Sequence, residues 1–193
     1  MPKIFISYRR EDSIETAGRI YSWLKMRLPE GGVFLDVNTI DPGTNFRSAI
    51  ADALAADVQV VLVIIGKQWL ESPAENGEMR RRIDDPEDHV RGEIEVAFQH
   101  HKVVIPILVQ GAKALRREDL PASIATLADI NALAVRPEPD FENDMRRLRD
   151  AILKVTPSVP FQPAYVYGTE NAFPHVWDLI RHWLSRGGQR GRR

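Results

Sequence analysis

The chain has no cysteine. That absence removes disulfides, thiolate nucleophiles and cysteine-bound metal together, and it fits a cytoplasmic protein. It also has little net charge: 26 Lys and Arg stand against 27 Asp and Glu, a formal balance of −1. No global field draws it to nucleic acid or to an anionic membrane, so neither partner is expected. The longest apolar run, Val60 to Gly66, is far short of the roughly 20 residues that cross a bilayer. Met1-Pro2-Lys3 leads directly into an apolar strand, so no signal peptide is expected.

Several chemistries lack their signatures. There is no G-x-G-x-x-G after the first strand, and Gly66-Lys67 lacks the rest of a phosphate-binding P-loop. A phospho-acceptor receiver would want an aspartate ending the third strand, where this chain has Ile65-Gly66. The five histidines do not fall at H-E-x-x-H spacing, Ser7 has no evident histidine base, and no metal is indicated.

What is present alternates. Ile4 to Ser7, Val33 to Leu35, Val58 to Ile65, Val103 to Val109 and Ala132 to Val135 read as strands. The third is apolar and β-branched nearly throughout, as in a central strand buried on both faces. Between them lie helical patterns: Ser13 to Leu28, then Asn45 to Leu54, then a helix from Asp85, then Asp140 to Val155. Residues 71–84 read as a loop or short helix. The fold expected is α/β, a flavodoxin-like doubly wound five-stranded parallel sheet of order 2-1-3-4-5 over residues 1–155. Ligands of such sheets sit outside the carboxyl ends of the strands. A proline-spaced linker over 156–173 and an appendage over 174–193 follow. The appendage carries a stripe of Val176, Leu179, Ile180, Trp183 and Leu184, fit for docking on the domain or for self-association, and a basic tail.

The organising stretch runs from Asp85 to Phe98. Asp85 is expected to cap a helix, with Pro86 first and Glu87 and Asp88 complementing its dipole. Val90, Ile94, Ala97 and Phe98 share one face, and Glu93 lies roughly 40° outside one edge of it, Glu95 roughly 60° outside the other. Glutamates on a helix flank are ordinarily solvated. At the margin of a buried face, one can also lean into a cleft.

Ile4-Phe5-Ile6-Ser7-Tyr8-Arg9-Arg10, and Val33-Phe34-Leu35-Asp36-Val37 through Pro42-Gly43, resemble the first two boxes of TIR (Toll/interleukin-1 receptor) domains. The similarity runs over residues 3–155. Val90-x-x-Glu93-Ile94 resembles the bacterial-type branch of that family that cleaves NAD. The resemblance implies that Glu93 is the catalytic glutamate, ahead of Glu95, and that NAD is a substrate, with no cofactor needed. It places Tyr8, Arg9 and Arg10 along the substrate cleft. It makes the 36–46 loop, with Asp36, Ile40, Gly43 and Phe46, a gate and an assembly element. It implies a homo-oligomer formed through TIR–TIR contacts, with another TIR or sensor protein as a further partner, in defence or signalling. His89 stands where that branch often has tryptophan, a weaker stacking group. Trp69 supplies either an aromatic wall or core.

The implied chemistry is physically economical. The nicotinamide of NAD leaves neutral from a cationic state and needs no proton donor, so one carboxylate suffices where glycosidases use two. Glu93 would hold the ribose hydroxyls and stabilise the oxocarbenium-like sugar. Arg9 or Arg10 would meet the pyrophosphate, or else pair with Glu11, Asp12 or solvent. Two other readings stand beside this one: a non-catalytic TIR interaction module, and an enzyme like the nucleoside deoxyribosyltransferases.

Overall fold

The computed structural model describes residues 2–28, 32–35, 58–73 and 79–155. In chain order the elements are β1 (Ile4–Ser7), α1 (Arg10–Arg27), β2 (Val33–Leu35), β3 (Val60–Ile65), β4 (Ser72–Pro73), β5 (Met79–Arg80), α2 (His89–Gln99), β6 (Val103–Val109), β7 (Leu133–Val135) and α3 (Phe141–Val155). Five strands form one sheet in the order β2-β1-β3-β6-β7, every neighbouring pair parallel. Counted among themselves, these are strands 2-1-3-4-5. The short β4–β5 hairpin lies apart and occupies part of the stretch expected as a loop or helix.

Alternate residues of each strand feed two cores. Ile4, Ile6, Leu62, Ile64 and Ile107 pack with α1 and α3 on one face. Phe5, Val61, Val63 and Ile65 pack on the other with Val90, Ile94 and Ala97 of α2, and with Ile124 and Leu127. All six residues of β3 are buried, which is what its unbroken apolar sequence requires of a strand covered twice. β6 contains Pro106, opposite Val63 of β3, and its ladder with β7 begins one residue later, at Ile107.

Two local expectations are adjusted. α1 begins at Arg10, but Ser13 interrupts it with φ −147° and ψ 20°, so the expected start survives as a break after a single turn. Residues 122–129 wind as 3-10 helix. α2 begins at His89, with Asp88 as its N-cap in place of Asp85; Asp85 instead accepts from the backbone N of Glu87 in the turn before it. Two aspartates compete for one cap here, and Asp88 wins because a buried arginine also holds it. The expected loop at 36–46, the helix at 45–54, the linker and the appendage lie outside the described residues. No described helix is long and apolar enough to cross a membrane.

Candidate active site

Residues 7–12 leave β1 at the carboxyl end of the sheet and fold back over the residues that follow β3. Ser7, Tyr8 and Arg9 are buried. Arg9 is 3% exposed, and its three nitrogens reach two neighbouring segments. Nε donates to the carbonyl of Trp69 at 2.5 Å, and the two terminal nitrogens donate to Asp88 Oδ2 and Oδ1 at 2.7 and 2.9 Å. The guanidinium also sits 5.5 Å from the centre of the Trp69 ring. Asp12, in the first turn of α1, accepts from the backbone N of Gly66 and of Gln68, each at 2.8 Å. One short loop thus fastens both the segment after β3 and the start of α2.

That fastening bears on the expected roles of the arginines. Arg9 is paired, but with Asp88 and not with Glu11 or Asp12, and its fork already faces a carboxylate. Arg10 is exposed at the start of α1. Tyr8 lies in the α1-side core. Trp69 is 1% exposed and packs in the α2-side core, so it is core in the described structure. Among the described residues, the Trp69 Nε1 and the Ser7 Oγ have no hydrogen-bond partner. Both flank the carboxyl ends of β1 and β3, and buried polar atoms left so are uncommon in folded proteins.

On α2, the two glutamates have different surroundings. Glu93 is 2% exposed. Glu95 lies on the other flank, where its Oε1 accepts from Arg91 Nε at 2.8 Å and from Ser123 Oγ at 2.6 Å. Glu95 therefore helps hold α2 against the 122–129 segment. Asp88, Glu93 and Asp144 are the buried carboxylates among the described residues. Asp88 ties α2 to the rim, and Asp144 ties α3 to Arg136 just past β7. Glu93 stands five residues past the cap, about 7.5 Å along the helix axis from it. His89, the first residue of α2, is exposed at the same end.

Of the expected site residues, Asp36, Ile40, Gly43 and Phe46 lie outside the described residues. Tyr8, Arg9, Arg10, Trp69, His89 and Glu93 all sit on the segment after β1, the segment after β3 or the first turns of α2, the parts that the Arg9 contacts join. Sequence reasoning missed Asp88 and Asp12 as fasteners. Asp88 did carry a local signal, an Asp two residues before the first buried apolar position of a helix.

Among the described residues, surface depressions lie elsewhere. One, of about 340 Å³, lies between Ile65, Leu108, Leu115, Leu127 and Ile130. The other, of about 480 Å³, lies between α1 and the start of α3, along Gly18, Trp23, Met26 and Phe141. No described site residue lines either. Among the described residues, no three His, Asp or Glu side chains are grouped to hold a metal.

A family model described as TIR domain matches residues 4–149. Among solved structures, the chain is similar to the TIR domains of the activated Roq1 resistosome directly recognising the pathogen effector XopQ, with a TM-score of 0.54. The identity is 13%, and the match covers 79% of this chain and 99% of that one. At this identity the likeness speaks for the fold alone. No curated protein matches the sequence.

Proposed function

The chain belongs to the TIR domain family, and on that premise we propose that it cleaves the nicotinamide–ribose bond of NAD with Glu93 as the catalytic carboxylate. The observation that carries the reading is the burial of Glu93, 2% exposed on the helix whose start is fastened to the carboxyl-end rim of the sheet. Glutamate is among the residue types least often buried to this degree.

The chemistry follows from charge. As the C–N bond of NAD breaks, its electron pair goes to the pyridinium ring, nicotinamide leaves neutral, and positive charge develops on the ribose. A carboxylate held away from bulk water stabilises that charge more than a solvated one does. Attack by water then gives ADP-ribose and one proton. Attack by an adenine nitrogen of the same molecule takes up no water and gives a cyclic ADP-ribose, one water short of ADP-ribose, again with release of one proton. Arg10, exposed at the start of α1, would meet the pyrophosphate with charge-assisted hydrogen bonds.

The test is nicotinamide release, followed by chromatography with concentrated protein, for wild type and Glu93→Gln. The variant should lose at least about 100-fold in rate, the scale of removing one preorganised electrostatic group. Intact NAD after incubation with assembled wild-type protein would overturn the reading.

A second reading, an interaction module working through TIR–TIR contacts, is favoured by the α1–α3 depression. Met26 on its rim is 71% exposed, and the matched TIR domains come from a resistosome. A non-catalytic module would keep its contacts in Glu93→Gln, which separates this reading from the first.

A further inference from the structure

We propose that Asp88 is a positioning residue for Glu93, acting with Arg9 to fix the first turn of α2. The inference rests on the catalytic reading of Glu93 and adds to it how that carboxylate is held in place.

Asp88 has four cationic or N–H neighbours. It accepts from both terminal nitrogens of Arg9, from the backbone N of Arg91 at 2.9 Å, and pairs with Arg82 Nε at 3.6 Å. Its side chain and that of Arg9 are 1% and 2% exposed. With its oxygens so occupied and so buried, Asp88 has little acceptor capacity left to offer a substrate, and its influence must run through the protein. It joins three things: the loop after β1 through Arg9, the loop after β3 through Arg9 and the Trp69 carbonyl, and the N-terminus of α2 through the cap. An α-helix is stiff over its first turns, so Glu93 inherits its place from that three-way joint. A misplacement of about 1 Å at a reacting group costs about 100-fold in rate.

A buried ion pair is not by itself a stabilising device. Replacing both partners with apolar groups of similar volume is often neutral or better, whereas removing one partner strands a buried charge. Stability and positioning can therefore be separated by choice of variant.

The experiment uses the full chain with Asp88→Ala, Asp88→Asn and the double variant Arg9→Met/Asp88→Leu. Thermal denaturation, kcat and KM for nicotinamide release from NAD, and amide hydrogen exchange of α2 are measured on each. Asp88→Ala should lower kcat about 100-fold with KM nearly unchanged, and should speed exchange of the Arg91 amide relative to the amides of α3. Asp88→Asn keeps a cap acceptor and should retain more kcat than Asp88→Ala. The double variant should regain the thermal stability that Asp88→Ala loses, yet not its kcat. Recovery of kcat together with stability would overturn the proposal, as would a raised KM with kcat intact. If wild type releases no nicotinamide, the functional reading fails, and exchange alone then decides the joint: an Arg91 amide as protected in Asp88→Ala as in wild type refutes it, and a faster one upholds it.

Discussion

Gly66→Ala is a small change with a long reach. The backbone of Gly66 is outside the left-handed region, so alanine meets no φ penalty there. The obstacle is spatial: a Cβ at Gly66 would fall inside the Asp12 carboxylate. That carboxylate must swing away, and it gives up its hydrogen bonds from Gly66 N and Gln68 N, both at 2.8 Å. Hydrogen bonds to a charged group contribute roughly 1.5–3 kcal/mol each, and with one of these two solvent-exposed the pair amounts to about 3 kcal/mol. For a domain of this size, such a loss lowers the melting temperature by roughly 6–12 °C. Asp12→Ala removes the same two bonds and should cost about the same. The decisive measurement is urea denaturation of the double variant Asp12→Ala/Gly66→Ala. With no carboxylate in the way, the new methyl group fits, and the double variant should be no less stable than Asp12→Ala alone; a gain of about 0.4–1 kcal/mol from the stiffer unfolded chain is expected. Additive losses totalling about 6 kcal/mol would refute the clash as the mechanism.

Other outcomes follow from the same contacts. Hydrogen bonds from Arg136 hold the Asp144 carboxyl below its ordinary value. Because the folded value is the lower one, the stabilisation is complete above the unfolded pKa and fades as pH falls through the folded one. Asp144→Asn should therefore melt below wild type at pH 7, with the gap closing below about pH 4; a gap that persists in acid would refute this. Glu95→Gln keeps a partner for Ser123 but loses the Arg91 ion pair, so it should cost about 0.5 kcal/mol and leave the proposed NAD cleavage unchanged, as a rate assay beside Glu93→Gln will tell. A Cβ on Gly18 meets nothing within 4 Å. Gly18→Arg should therefore fill the α1–α3 depression without unfolding the chain, and should weaken the proposed self-association, measured by light scattering.

The sheet was legible in advance because its strands are short apolar runs with sharp polar ends. Val103–Val109 and Val33–Leu35 keep the expected bounds, and β3 loses only Val58 and Gln59. The helical phase of residues 90–98 placed Glu93 at a buried margin, and the fold carries it fully inside. What stayed hidden depends on distance in sequence. The partner of Arg9 is 79 residues away, and nothing in Tyr8-Arg9-Arg10 distinguishes the arginine turned inward from the one turned out. The same long-range pair moves the helix start from Asp85, which Pro86 after it favoured, to Asp88. The 3-10 winding of residues 122–129 had no separable signal, since its apolar spacing suits either helix.

β7 is three residues long, and Arg136, Pro137 and Pro139 follow it. Pro106 leaves no N–H in β6 just before the β7 ladder begins. An outer strand so short and so closely followed by proline offers an incoming strand few rungs, which is how natural sheets resist growing edge to edge into fibrils. On the β7 side, then, copies of this chain have little to gain by extending the sheet. Contacts between copies on that side would have to use side chains on helices and loops in place of backbone rungs.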